Sequence, residues 1–380
     1  MRYFTTRHLW LQRRDDQVVV SNVCSKRRAL LDPAELLHLE SFSGGAEAGD
    51  DELTRRLIEA DLILPEDAPA VENPRLTTVL FAMDKFLAEG RGKGRSQVQR
   101  ETPDPLARLE MLREIICGRL QATAPRLETW KRRSAVDDFN ALIDHVRTFL
   151  TADAYDPGPF SFPQGYLSAT AGRPLPRYDY EQQPCMPATT VARVRSAVSR
   201  LGEGSRGLIL GDDDLIGLYW AREVARPADI FELDTELIDF LQPQLRDGVS
   251  IHQRDLTNGL PEEFQGRYDV IFTDPMYRAD GMDLFMECAA SGLSTAPEAR
   301  VYFSTQPALI QEGKRFEERL AQAGLVVESR HPDFSRYAMP DFARKLIMRD
   351  FMGWQAPIGL IDGLLQIPYL YADLFVLKRA

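Results

Sequence analysis

From about residue 189 onward, strand-length apolar runs alternate with helix-patterned stretches, and no other feature constrains this chain as much. The runs are RGLILG (206–211), DIFELD (229–234), SIHQRDL (250–256), YDVIFTDPMY (268–277), ARVYFST (299–305), LVVESRHPDF (325–334) and YADLFVLKR (371–379). Around them lie TTVARVRSAVSRL (189–201), LIGLYWAREVA (215–225), ELIDFLQPQLRD (236–247) and residues 311–323, all with helical character. Strands that are apolar almost throughout must be covered on both faces, so the pattern predicts a parallel sheet flanked by helices.

Seven strands in this order, the last one late and near the C-terminus, describe an α/β fold with a class I methyltransferase-like (Rossmann-like) sheet. In such sheets a ligand lies over the carboxyl ends of the strands. Each of the first four strands here ends in an acid: Gly211-Asp212-Asp213-Asp214, then Glu232 and Asp234, then Asp255, then Asp274. The step from Gly211 to Glu232 is the interval expected between a first turn and the carboxylate that grips ribose hydroxyls. Asp255 falls where the adenine amino group would be held.

The first turn departs from the usual glycine-rich loop, which brings bare amides close to a phosphate or carboxylate. Three aspartates stand there instead. Two carboxylates about 4 Å apart repel by roughly 4 kcal/mol at an effective dielectric near 20, so such a cluster calls for a cation or shared protons. A ligand with a sulfonium and a free ammonium relieves it; a methionine-type carboxylate worsens it. No further oxygen ligands can be placed for a divalent metal, and none is expected.

Upstream, residues 1–65 read as a small winged-helix-like module, with one strand, QVVVSNV (17–23), and helices at 32–42 and 50–64. Asp32 is the expected N-cap of the first helix, with Pro33 at its first position. Residues 66–151 are expected to be a helical segment, 152–176 a linker carrying five prolines and three glycines, and 177–380 the catalytic domain.

The chain is 44% apolar and 27% charged, which excludes disordered and collagen-like classes. Residues 171–380 carry 23 basic and 31 acidic side chains, a net of −8 out of −11 for the whole chain. That balance disfavours phosphate backbones, so nucleic acid is not an expected partner. Four cysteines without a C-x-x-C pair, no long apolar run and no signal-peptide pattern point to a reducing cytoplasm and no membrane contact.

At LILGDDDLIGLYWA (208–221), ELDTELIDFL (232–241), HQRDLTNGLPEEFQGRYDVIFTDPM (252–276) and PDFSRY (332–337), the chain resembles the branched-chain polyamine synthases. A looser match runs through RPLPRYDYEQQPCMPATTVARV (173–194). The resemblance implies aminopropyl transfer from decarboxylated S-adenosylmethionine to a polyamine such as spermidine. It also implies an N-terminal winged-helix-like domain. Two departures stand out. The usual Asp-Pro-Pro after the fourth strand is Asp274-Pro275-Met276-Tyr277, and the Asp-Gln upstream reads Asp179-Tyr180-Glu181-Gln182.

An acceptor amine must lose its proton as it attacks, and crowding raises the pKa of one carboxylate toward the working range. Asp213 or Asp214 is the expected base, with Asp212 in the same cluster, and Asp274 orients the acceptor nitrogen. Gly211, Glu232, Asp234, Asp255 and Pro275 are the expected donor-binding residues. Asp179, Gln182, Tyr277, Phe334 and Tyr337 are expected on the acceptor, the aromatic rings facing its methylenes or its charge. The alternative is an aminopropyl- or N-methyltransferase, the latter using intact S-adenosylmethionine, that modifies a peptide partner bound by the N-terminal module. A homodimer is among the expected assemblies.

Overall fold

The computed structural model describes residues 1–68, 74–91, 104–122, 160–275, 279–305, 316–338 and 369–380, with scattered positions between 136 and 147. The chain divides into two compact units: residues 1–68, 158–337 and 371–380 form one, and residues 69–157 with 338–370 the other.

The first unit begins with six short strands, β1 (Arg2–Thr5), β2 (Leu9–Arg14), β3 (Gln17–Asn22), β4 (Arg28–Leu31), β5 (Ala46–Glu47) and β6 (Ile63–Pro65). They pair as two three-stranded antiparallel sheets, β5-β1-β6 and β2-β3-β4. Two helices accompany them, α1 (Pro33–Ser41) and α2 (Glu52–Glu59). Asp32 caps α1 in a full capping box, accepting from the Ala34 and Glu35 amides while Glu35 accepts from its own. One strand was expected here and six are present. The five others have two to six residues each, and the β2–β3 hairpin turns on Asp15-Asp16, Asp15 at φ +56°, instead of on a glycine pair.

The second unit holds α3 (Pro74–Arg91) and α4 (Pro105–Ala122), which pack on each other. Val79, Met83, Phe86, Leu87, Leu109, Leu112 and Ile116 are buried, and a buried Asp84–Arg108 ion pair closes at 2.6 Å. Within the segment expected to be helical, residues 135–150 lie largely outside the described residues.

In the stretch expected to be a linker, α5 (Tyr166–Ala171) is a helix whose Tyr166 and Leu167 are buried in the main core. After it come α6 (Pro187–Val198), β7 (Gly207–Leu210), α7 (Ile216–Glu223), β8 (Ala228–Glu232), α8 (Thr235–Leu241), β9 (Val249–Gln253), β10 (Val270–Thr273) and α9 (Ala279–Gly292). β11 (Arg300–Thr305), α10 (Phe316–Gln322), β12 (Leu325–Ala338) and β13 (Tyr369–Arg379) complete the order.

The strands form one seven-stranded sheet in the order β12-β13-β11-β10-β7-β8-β9. β7, β8, β9, β10 and β11 run parallel, and β13 is antiparallel to β11. This is the class I methyltransferase arrangement. Strand order reverses between β7 and β10, so a crevice opens above their carboxyl ends. β7, β8 and β10 are buried along their whole length, which is why they read as unbroken apolar runs.

Candidate active site

The turn after β7 places three acids in three directions. Gly211 takes φ +69°, and Leu215 sits in the left-handed region at φ +57°, a conformation that costs a branched side chain of order 1 kcal/mol or more. The Leu215 amide closes the turn on the Asp212 carbonyl at 3.0 Å. Asp212 points inward, fully buried, and both its oxygens accept from the Gly217 amide in α7 at 3.0–3.1 Å. A Cβ at Gly217 would stand 2.6 Å from an Asp212 oxygen and 2.3 Å from Ile230, so only glycine lets helix and carboxylate meet there.

Asp213 and Asp214 face the segment before α6, which runs along the turn and binds the acids in order. The Gln183 amide donates to Asp213 at 3.0 Å and the Cys185 amide to Asp214 at 2.6 Å. Gln182 reaches past them, its side-chain amide donating to Asp234 at 2.9 Å.

Arg193 ties the first and fourth strand ends together. Its guanidinium, 1% exposed, donates to Asp214 at 2.6 Å and to Asp274 at 3.2 Å. It also donates to the Ser335 hydroxyl at 2.9 Å. Tyr337 donates its hydroxyl proton to Asp274 and meets Ser304 at 3.0 Å, and Ser304 meets Ser335 at 2.8 Å. One guanidinium thus serves the buried Asp214 and the partly buried Asp274, with the Ser335 and Tyr337 hydroxyls beside it.

Among the described residues the acids outnumber the cations: Asp212, Asp213, Asp214, Glu232 and Asp274 act on one another electrostatically, with Arg173 and Arg193 as the guanidiniums beside them. Burial, reinforced by Glu232, Asp214 and Asp213, pushes the Asp212 carboxyl well above the usual carboxylate range. Burial and then Asp214 push Asp213 well up, while Arg173 opposes them. Burial and then Asp214 raise Asp274 to about 7, against the pull of Arg193 and the Tyr337 hydroxyl. A carboxyl half-ionised near neutrality, beside one paired with a guanidinium, can accept a proton from a reacting group.

The remaining expected residues divide. Glu232 is buried at the end of β8: one oxygen accepts from the Leu233 and Asp234 amides at 2.7 and 2.9 Å, the other from the Asp212 amide at 2.8 Å. Among the described residues the second oxygen has a single donor and keeps a lone pair to spare. Asp234 is the N-cap of α8, accepting from Glu236, and Pro275 is buried beside Asp274. Asp255 lies at the surface and caps the short turn 256–258, its carboxyl held low by the Thr257 amide. Asp179 is 83% exposed on its side chain and 3.9 Å from Arg177. Phe334 is half-buried against the core and edge-on to His331 at 6.2 Å. Tyr277 lies outside the described residues.

Arg193, Ser304 and Ser335 were not anticipated. Arg193 lies three residues after Thr190 and four before Ala197, on the buried stripe of α6, and that spacing was the available signal.

Comparison with known proteins identifies the family of the C-terminal domain. Residues 164–353 match the model of the branched-chain polyamine synthase A C-terminal domain, half of the chain. An uncharacterized protein of Methanocaldococcus jannaschii is 31% identical over 43% of this chain and 43% of its own length. The N(4)-bis(aminopropyl)spermidine synthase of Thermus thermophilus is 31% identical over 32% of this chain and 37% of its own. The chain therefore spans less than half the length of these curated relatives. The crystal structure of the branched-chain polyamine synthase from Thermus thermophilus, in complex with N4-aminopropylspermidine and 5'-methylthioadenosine, aligns over 81% of this chain and 93% of that one, at TM-score 0.46 and 19% identity. By its C-terminal domain, this chain belongs to the branched-chain polyamine synthase family.

Proposed function

We propose that the protein is an aminopropyltransferase, moving the aminopropyl group of decarboxylated S-adenosylmethionine to an amine acceptor, a polyamine such as spermidine. The observation that carries this reading is the crowding of acids at the first turn. Among the described residues five carboxyls stand with two guanidiniums, and the strain that raises three of them is relieved by a ligand that brings positive charge and no carboxylate of its own. The decarboxylated donor has a sulfonium and an ammonium, whereas the intact donor adds a carboxylate to an acidic pocket.

The chain's residues take the following roles in this reading. The free lone pair of Glu232 receives a ribose hydroxyl, Asp255 lies toward the adenine, and Asp213 faces the donor's cationic end. Asp274 receives the proton of the acceptor nitrogen as that nitrogen attacks the carbon bonded to sulfur. The C–S bond breaks, its electrons neutralise the sulfonium, and 5'-methylthioadenosine leaves. Asp274 suits the base better than Asp213 or Asp214, the bases expected from the sequence. Asp214 is committed to Arg193 and the Cys185 amide, whereas Asp274 titrates near 7. Arg193 and Tyr337 keep Asp274 aimed at one position.

Two measurements test the reading. Calorimetry should give tighter binding of decarboxylated than of intact S-adenosylmethionine; equal or reversed affinities would sink the donor assignment. Incubation with spermidine and the decarboxylated donor should yield products heavier by one or two aminopropyl units. Turnover absent with every free polyamine would point instead to a peptide acceptor.

A further inference from the structure

Gln182 is one of the residues expected on the acceptor, yet both ends of its buried side-chain amide are taken up inside the protein. Its Oε1 accepts from the Arg177 amide at 2.8 Å, and its Nε2 donates to the Asp234 carboxylate at 2.9 Å. A donor on one side and a carboxylate on the other admit a single orientation of the group.

The first partner closes a loop. The Tyr180 and Gln182 backbone amides donate to the Arg177 carbonyl at 3.2 and 3.3 Å, and Glu181 takes φ +52° where the chain turns back. The Arg177 guanidinium lies over the Tyr180 ring at 4.6 Å and stands 3.8 Å from Asp234. Loop 177–182 thus brings one amide donor and one cation to Asp234.

The second partner leads to the donor end of the crevice. Asp234 is 1% exposed; its Oδ1 caps α8 on the Glu236 amide at 3.0 Å, and its Oδ2 takes the Gln182 amide. The Asp234 backbone amide donates in turn to Glu232 at 2.9 Å, on the same oxygen that accepts from Leu233. Two amides on one oxygen set the plane of the Glu232 carboxylate and leave its other oxygen on the Asp212 amide, with a lone pair to spare. A line of direct hydrogen bonds therefore runs from loop 177–182 through Asp234 to Glu232.

We infer that Gln182 is a positioning residue for donor binding: by holding the second oxygen of Asp234, it fixes the Leu233–Asp234 turn whose amides aim Glu232 at a ribose hydroxyl. The inference rests on the reading of Glu232 as the ribose acceptor, and it moves Gln182 from the acceptor side of the reaction to the donor side. Without Gln182, Asp234 keeps its helix cap but a buried carboxylate oxygen loses its donor. Such an oxygen turns toward other donors and draws the 233–234 turn with it.

The test uses the full-length protein and 5'-methylthioadenosine, which has a ribose and no positive charge, so its binding reads the ribose grip apart from the acidic cluster. Gln182→Leu keeps much of the side chain's bulk and removes both hydrogen bonds. Asp234→Asn still caps α8 through its oxygen but turns an amide nitrogen toward Gln182. By calorimetry each variant should bind the nucleoside about tenfold more weakly, as for one lost hydrogen bond to a charged group, with KM for spermidine at saturating donor within about twofold of wild type. Because both substitutions break the same link, the double variant should stay within about threefold of the weaker single one.

Unchanged nucleoside affinity in Gln182→Leu, or a raised KM for spermidine with unchanged nucleoside affinity, overturns the inference; so do losses that multiply in the double variant. If Gln182→Leu does not fold, Asp234→Asn decides alone: weaker nucleoside binding supports the link and unchanged binding overturns it. A wild type that binds 5'-methylthioadenosine but not the decarboxylated donor defeats the proposed function, while the nucleoside measurement still decides the role of Gln182. A wild type that does not bind the nucleoside overturns the inference as well.

Discussion

Strand β8 has a buried carboxylate near each end, and the two are treated in opposite ways. At the amino end Asp229 accepts from His252 and Tyr268 at 2.9 Å and from Arg206 at 3.3 Å, three donors for one acid. At the carboxyl end Glu232 belongs, among the described residues, to a group of five acids with two guanidiniums. Burial and then Asp229 push the Tyr268 hydroxyl upward, so that tyrosine remains a donor. The lower acid is complete within the protein and needs no ligand. The upper group is held together by Arg193 and the 182–185 segment, yet it still carries unmatched negative charge. Burial of both acids is similar and each accepts from three donors, so the charge of the partners, the Arg206 guanidinium on Asp229 against three neutral amides on Glu232, and not depth, separates a structural acid from a binding one.

The largest expected effect would break the upper group outright. Arg193→Met leaves Asp214 and Asp274 buried without their guanidinium, and removal of one partner from such a set costs roughly 3–5 kcal/mol. Urea unfolding at pH 8 should show a loss of that size, shrinking at pH 5 as carboxyls protonate. A loss independent of pH would mean that Arg193 acts through packing alone.

Next in size is a pair of substitutions that should part the two ends of the sheet. Asp274→Asn keeps the shape and removes the base, so turnover should fall by about 10²-fold or more with the protein still folded. Because Asp274 is raised to about 7, the proton it holds in the folded state stabilises the protein at low pH, and that contribution is lost as pH rises through 7. Asp274→Asn removes this loss, so its Tm at pH 8 should equal or exceed that of the wild type. Asp229→Asn should do the reverse, lowering Tm while leaving turnover per folded molecule within about threefold. Comparable turnover losses in both variants would erase the distinction drawn here.

Much of the fold could be read from the chain, for a plain physical reason. Strands covered on both faces have no polar side to alternate with, so β7, β8 and β10 declare themselves as apolar runs. The acids at their ends were legible because the fold fixes where strand ends meet. What was not legible came from long-range pairing. Nothing local marks Arg193 as the partner of Asp214 and Asp274, which lie 21 and 81 residues away. Gln182 and Asp179 belong to one four-residue motif, yet one is buried on Asp234 and the other is exposed, because Glu181 between them takes φ +52° and turns the chain. The small N-terminal strands escaped because two to six residues are too few to establish a period.

The pH profile gives a finer discrimination. With Asp274 as base, kcat/KM should climb with pH through about 7, following the carboxylate form. The Tyr337 hydroxyl donates to that carboxylate and favours it, so Tyr337→Phe should move the climb to higher pH with the plateau rate little changed. A fall in the plateau with an unmoved midpoint would assign Tyr337 to the acceptor and leave Asp274 to be set by burial and Asp214 alone.

Asp255 should give the smallest effect, and it bears on how far the acidic crevice extends along the sheet. It ends the third strand, as Glu232 ends the second, but it lies at the surface with one oxygen on the Thr257 amide at 2.9 Å. Asp255→Asn preserves the cap, since asparagine caps as well as aspartate, and removes only the charge. Asp255→Ala removes both. If the residue acts only as a cap, the alanine variant loses a little Tm, the asparagine variant none, and donor affinity is the same in both. If it receives the adenine amino group, both variants weaken donor binding severalfold while only alanine lowers Tm. The first outcome would confine the functional acids to the crowded group around Arg193, because an exposed carboxylate already satisfied by its own turn gains little from a ligand that must displace water to reach it.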